Sequence, residues 1–482
     1  MPTPWATEEM QGVDLNDKRL DERLKMILSD LAQRPALSIP AACGGHADMT
    51  AAYRFFDNDK ATFERVLSPH RDRTHQRSRE QSVVLLVQDT SELDLTRPHQ
   101  QVAGAGPLAG ASRRGLFLHT VHAFTADGTP LGEVWSQTWA RDDASLDVPQ
   151  EVKRKTRKSS SIEAKESFRW LDGMRQSREF AQRCPETTCV CVADSEADIY
   201  ELFAEDRGEV NPIHWLIRLS QDRALAADDA PARSIRERLA TAAVLFTKEI
   251  SVRAREAKIA GEDRKRRQSR PARKTVVEAR AATITLRPPW RPGRTLPERA
   301  VHVVRVSEVH PPADDEPVEW LLLTTLPIDT VEQVRTVVQY YTVRWMVEVY
   351  FRTLKMGCRI EERRFENTDR LLVCLAVYMI VAWRVLYLCR LGRSFPDLDC
   401  EAVFEPSEWK AVWVAVHRQK PPKQPPRLGE MVRLIAELGG YVNCPGRSDA
   451  PGPQTVWLGL QRMYDLAWAW DAFGPEARKR DV

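Results

Sequence analysis

Tyr341-Thr-Val-Arg344-Trp-Met-Val-Glu348-Val-Tyr-Phe-Arg-Thr-Leu-Lys355 gathers a phenol, a guanidinium, a carboxylate and an ammonium group into one short run. No Gly or Pro interrupts it, nor the stretch from Val331 that leads into it, so the sequence predicts one helix from about Thr330 to Met356. At roughly 100° per residue, Tyr341, Arg344, Glu348 and Lys355 fall at about 0°, 300°, 340° and 320°, a stripe about 60° wide and about 21 Å long. A carboxylate flanked by two cations and a phenol could hold a metal ion at its centre and phosphates on either side. The same residues could equally form a solvated face with ordinary ion pairs. The decision rests on what the rest of the chain brings to this helix.

Two apolar runs supply the next elements. Val83-Val-Leu-Leu-Val87 and Thr188-Cys-Val-Cys-Val-Ala193 are continuous and β-branched, the pattern of strands buried on both faces. The first is expected to end at Gln88-Asp89-Thr90, and the second runs into Asp194-Ser-Glu-Ala-Asp198. Asp89 and Asp194 therefore stand at strand exits. Carboxylates at the ends of neighbouring strands can converge on a hard cation such as Mg²⁺, although Asp also occupies such positions as a structural cap. Glu196 and Asp198 compete with Asp194 as ligands, but Asp194 is nearest the strand tip. Between the two runs, Gly115–Phe124 and Leu131–Trp139 flank Ala-Asp-Gly-Thr-Pro, a hairpin signal.

With 482 residues the chain has room for two to four domains, and 43% hydrophobic with 29% charged residues describes a globular protein. Net charge is only +3, so affinity for nucleic acid must come from how the 71 basic residues are distributed. Ten Lys/Arg against three Asp/Glu between Arg253 and Lys274 suggest a phosphate-contacting arm between two strands. Nine Cys are scattered without a C-x-x-C pair, as expected of reduced thiols in a core. The N-terminus lacks an apolar export segment. The uncharged run Leu371–Trp383 is too short to span a bilayer and reads as a buried helix. Residues 1–75 look helical, with Lys18, Arg19 and Arg23 as candidate DNA contacts. Residues from about 210 to 325 read as mostly β, and 391–482 as helical. The last helix, from about Gln454 to Phe473, is rich in Trp and suits either a core or an oligomer contact.

Asp89, Asp194 and Glu348 together are three carboxylates that could bind two divalent metals and so support in-line phosphoryl transfer. At this point a resemblance emerges. Tyr341-x2-Arg344-x3-Glu348-x6-Lys355 matches the signature of the bacterial cut-and-paste DDE transposases of the insertion-sequence-four superfamily, and the chain is most similar to its transposon-five branch. The similarity continues in the same order through Ala52-Tyr-Arg-Phe55, Gln88-Asp89-Thr90-Ser91, His119, Lys165-Glu-Ser-x2-Trp170, Asp194-x-Glu-Ala-Asp-Ile199, Arg270-Pro-Ala-Arg-Lys274, Trp320-Leu-Leu-Leu-Thr324 and Leu438-Gly-Gly-Tyr441.

The resemblance implies an α/β fold: an RNase H-like mixed-sheet catalytic core at 76–390 with a β-rich insertion at about 210–325. It implies a helical DNA-end-recognition domain at 1–75 and a helical dimerisation domain at 391–482. Asp89, Asp194 and Glu348 would be the catalytic metal ligands, for Mg²⁺ with Mn²⁺ as a substitute. Trp320 would stack on a base flipped from the duplex, while Arg218, Tyr341, Arg344 and Lys355 would hold phosphates around it. The expected partners are double-stranded DNA, both element ends and target, and a second copy of the chain in a synaptic homodimer, with no membrane. The expected setting is the bacterial cytoplasm beside the nucleoid. The activity implied is end cleavage through a hairpin, followed by joining of 3′-OH ends to target DNA. A non-catalytic end-binding protein and a stand-alone RNase H-like nuclease are the alternatives. Ser195 and Met346 stand where the family often has Arg.

Overall fold

The structure is a computed structural model that describes residues 2–108, 112–145, 148–149, 151–152, 156, 159–229, 231–252, 254, 269–313, 315–442 and 450–475. Its strands are β1 (Val83–Asp94), β2 (Gly106–Pro107), β3 (Arg114–Thr125), β4 (Pro130–Trp139), β5 (Thr188–Ala193), β6 (His214–Arg218), β7 (Phe246–Val252), β8 (Arg273–Leu286), β9 (Arg299–Glu308) and β10 (Glu319–Thr324). All join one sheet in the order β2-β3-β1-β5-β6-β10-β9-β8-β7, with β4 paired to β3.

β1, β3 and β4 form an antiparallel meander, turned at Asp127-Gly128 where Gly128 adopts φ 87°. β5 and β6 then run parallel to β1. Parallel neighbours require crossovers, which the Phe168–Gln182 helix and the short Tyr200–Ala204 helix supply. β10, β9, β8 and β7 continue the sheet beyond β6 in antiparallel pairs. The β-rich region thus extends the same sheet.

Strand alternation divides the core in two. Leu85, Val87, Val190, Val192, Leu216 and Leu322 face the helices Val331–Val343, Trp345–Arg352 and Thr368–Ser394. Val84, Leu86, Cys189, Cys191, Trp215 and Leu323 face Phe168–Gln182 and Tyr200–Ala204 instead. Each such fully buried aliphatic side chain contributes about 1.5–3 kcal/mol. The Thr368–Ser394 helix is the spine of the molecule. Asn367 caps it by accepting the Arg370 N–H at 3.1 Å. It is long and apolar enough to cross a membrane, yet its most apolar stretch is 83% buried inside the fold.

Helices Lys18–Gln33, His46–Phe56 and Phe63–Arg79 pack on one part of this spine and Leu428–Leu438 and Pro453–Phe473 on another, with Pro406–His417 packed on the latter two. Gly459 permits the closest helix approach, since a Cβ there would meet the Ile435 carbonyl oxygen at 1.8 Å. The aromatic last helix is core on one side, where Trp457 and Leu460 are buried, whereas Trp468 is 67% and Phe473 72% exposed. The described cysteines are all buried free thiols. Cys444 lies outside the described residues.

Two local expectations change. The continuous helix to Met356 is two helices, Val331–Val343 and Trp345–Arg352, broken at Arg344 and ending in a π-turn, Thr353–Gly357. The wider i→i+5 turn moves Lys355 off the stripe that a uniform helix predicts. β1 does not end at Asp89 but continues to Asp94, because β3 pairs along its whole length. Of the basic arm, residues 253 and 255–268 lie outside the described residues. Arg270 and Arg273 are described, and they are tied to Asp315 and Glu308.

Candidate active site

Sheet register brings the first two carboxylates together. The parallel β1–β5 ladder ends at Val87↔Val192. Two residues beyond that pair stand Asp89, still in β1, and Asp194, the first residue after β5, close enough for the Asp194 charge to act on Asp89. The β5–β6 ladder ends at Ala193↔Ile217, which sets Arg218 in the same row, and Arg218 pairs with Leu322 of β10. Trp320 lies two residues before Leu322, on the same face of β10. One row across four strands thus carries Asp89, Asp194 and Arg218, with Trp320 at its corner.

The helices above this face deliver the rest. The Arg344 guanidinium straddles two acids: Nη1 donates to Asp89 Oδ2 at 3.4 Å and Nη2 to Glu348 Oε1 at 2.5 Å. Asp89 Oδ1 also accepts the Thr90 N–H at 2.7 Å, and Asp194 Oδ1 accepts the Glu196 N–H at 2.8 Å, capping the turn after β5. Burial pushes the Asp89 carboxyl up to about 7; the Asp194 and Glu348 charges add to that, and Arg344 only partly offsets it. Tyr341 is buried, which raises its phenol, while the charges of Arg344 and Arg218 pull the other way. Its ring meets Trp320 edge-on, with centroids 5.1 Å apart. Lys355 stands apart, with Nζ 3.7 Å from Glu361.

Of the expected residues, Asp89, Asp194, Glu348, Arg218, Trp320, Tyr341 and Arg344 therefore share one neighbourhood, and Lys355 flanks it from the π-turn. Arg344 engages carboxylates here, where the sequence suggested a phosphate. Sequence reasoning missed the layer behind Asp89. Thr90 Oγ1 bonds to His119 Nδ1 at 2.8 Å and accepts from Arg169 Nε at 2.9 Å, and Arg169 Nη2 reaches Glu196 Oε2 at 2.9 Å. Arg169 so links the residue after Asp89 to the turn after Asp194. Its signal was present only as a neighbour of Trp170 in the matched motif.

The donor set fits a hard divalent cation, being carboxylate oxygen with mutual repulsion around Asp89. Among the described residues no three His, Cys, Asp or Glu side chains are grouped closely enough to hold one as they stand. The Arg344 guanidinium bridges Asp89 and Glu348.

Comparison with known families agrees along the chain. Residues 2–61 match the transposase DNA-binding family, 169–382 the transposase DDE domain, and 380–468 the Tn5 transposase dimerisation domain. The chain belongs to the Tn5-like DDE transposases. Its mixed sheet is the RNase H-like core of that group, and the transposase carries DNA-binding and dimerisation modules on either side. DDE transposase domains generally use divalent metal ions. The DDE match spans Asp194 and Glu348 but begins after Asp89, so Asp89 joins them through sheet register. A solved piggyBac transposase synaptic complex with hairpin DNA aligns at 10% identity and a TM-score of 0.35, over 81% of this chain and 72% of that one.

Proposed function

We propose that this transposase is catalytically competent and moves its element by cutting and joining DNA at a site made by Asp89, Asp194 and Glu348. The observation that carries this is that the β1–β5 register brings Asp89 and Asp194 together on one face of the sheet, with Glu348 linked to Asp89 through one guanidinium. Residues 1–75 recognise the element ends, 76–390 hold the chemistry with a β-rich insertion at about 210–325, and 391–482 dimerise.

The three carboxylates would hold Mg²⁺, with Mn²⁺ as a substitute. The bound cation would supply Lewis-acid stabilisation of the charge that builds on the scissile phosphate. In the reaction, water hydrolyses one strand at the element end and leaves a 3′-OH. That hydroxyl attacks the opposite strand, its own P–O bond forming as the flanking one breaks, and closes a hairpin. A second hydrolysis opens the hairpin, and the 3′-OH attacks target DNA. Arg218, Tyr341, Arg344 and Lys355 orient phosphates. Trp320, half-exposed beside Tyr341, offers a ring face to a base flipped from the strained hairpin.

Cleavage of DNA carrying the element's own termini, in Mg²⁺, tests this. Asp194→Asn and Glu348→Ala are expected to abolish cleavage while specific end binding persists. Parallel loss of binding and cleavage would count against the ligand roles. Binding without any strand transfer by the wild type would leave a non-catalytic end-binding protein, and cleavage without end specificity a plain nuclease.

A further inference from the structure

Arg344 occupies an unusual place for a residue assigned only to DNA. It lies at the junction between the Val331–Val343 and Trp345–Arg352 helices, and its side chain is only 14% exposed. The fork of its guanidinium is divided, one amino group on Asp89 and the other on Glu348. Asp89 is on β1 and Glu348 on the covering helix, so this fork adds a polar bridge between helix and sheet to the apolar packing of Val347, Tyr350 and Phe351. A flexible point-charge ammonium could not span both acids in this way. A DNA phosphodiester, by contrast, offers both arms of a guanidinium two oxygens of one anion, a bidentate pairing that neither acid gives it here.

We propose that Arg344 is an internal counter-ion that closes the Asp89–Glu348 pair against divalent cations until DNA phosphate draws the guanidinium away. The proposal rests on the reading of Asp89, Asp194 and Glu348 as cation ligands. Guanidinium and divalent cation compete for the same carboxylate oxygens, so DNA-free protein binds the cation weakly and end-bound protein binds it well. Tyr341 stands between Trp320, 5.1 Å from its ring, and Arg344, whose charge acts on its phenol. DNA seated against Trp320 therefore arrives next to the fork it must open. The consequence is order: the transposase loads metal after it holds an end, and unbound copies stay inert.

Mn²⁺ binding to the full-length protein, read from the free-ion EPR signal, tests this without measuring activity. Arg344→Gln is expected to tighten Mn²⁺ binding by DNA-free protein about tenfold, the factor for a competent form that is roughly one-tenth populated. Arg344→Lys, which keeps the charge but not the fork, is expected to tighten it in the same direction. Lys355→Gln, which removes a nearby charge paired with Glu361, is expected to change it by less than about twofold, as screened charges do. With a duplex of the element terminus bound, wild type and Arg344→Gln are expected to converge. Equal Mn²⁺ affinity of DNA-free wild type and Arg344→Gln, with Asp194→Asn still weakening it, would overturn the counter-ion and leave the ligand assignment standing. An effect of Lys355→Gln as large as that of Arg344→Gln would also overturn it. Mn²⁺ binding that ignores Asp194→Asn in every state would overturn both readings.

Discussion

Glu9 is a buried carboxylate and Asp89 a partly buried one, both beside arginine, and their surroundings drive them in opposite directions. Burial alone would raise the Glu9 carboxyl, but hydrogen bonds from His70 and Arg77 and the Arg77 charge outweigh it and hold it down at about 2. His70 Nε2 accepts the Glu133 N–H at 3.0 Å, so Nδ1 carries the proton and donates to Glu9 Oε1 at 2.5 Å. Arg77 adds a bidentate pair at 2.8 and 3.0 Å. At Asp89, burial and the Asp194 charge outweigh a single shared guanidinium, and the carboxyl is pushed up to about 7. The first cluster is fully compensated and joins the N-terminal Pro4–Glu9 helix to the Phe63–Arg79 helix. The second is only partly compensated, by the one guanidinium that Asp89 shares with Glu348.

Substitutions can break this contrast. Asp89→Asn is expected to lower end cleavage by at least about 10³-fold, the scale lost when a transition-state contact is removed. Its melting temperature should not fall, because the change relieves repulsion among three acids; a marked drop would place Asp89 with Glu9 as structural. Glu9→Gln should do the reverse. Leaving Arg77 without its anion is expected to cost about 3–5 kcal/mol, while cleavage per folded molecule stays near wild type.

The same Glu9 cluster fixes a pH dependence. The folded carboxyl near 2 lies below the ordinary value of 4.5, so its stabilisation is present above about pH 4.5 and is lost as pH falls toward 2. Thermal melts of wild type and Glu9→Gln should converge across that window; a constant difference would show that Glu9 acts through packing alone. Trp320→Ala is expected to have the smallest effect. Nicking should persist while hairpin formation weakens by about 1–3 kcal/mol, the worth of one stacked base. Equal yields of both steps would remove its stacking role.

Local pattern made much of this molecule legible. The apolar runs at Val83 and Thr188 became β1 and β5, the hairpin turned at Gly128, and the long buried helix followed Asn367. Period and capping are written in neighbouring residues, so the sequence carries them. What it could not carry is contact between distant residues. Nothing near Glu9 announces His70 and Arg77, 61 and 68 residues away, and nothing near Thr90 announces Arg169, 79 residues away. Asp89 looked like a strand end because its apolar run stops there, while pairing with β3 carries the strand on to Asp94. The fork of Arg344 was hidden for a further reason. A helical stripe places Arg344 beside Glu348 but says nothing of Asp89 beneath it, 255 residues earlier.

The most direct test of the three-carboxylate site is metal-specificity exchange at Asp194. Asp194→Cys places a soft thiolate where a hard carboxylate should meet the cation. It is expected to bind element ends normally, to cleave nothing in Mg²⁺, and to regain cleavage in Mn²⁺. Wild-type cleavage by Asp194→Cys in Mg²⁺, or a loss that no change of metal alters, would contradict the assignment of Asp194 as a ligand.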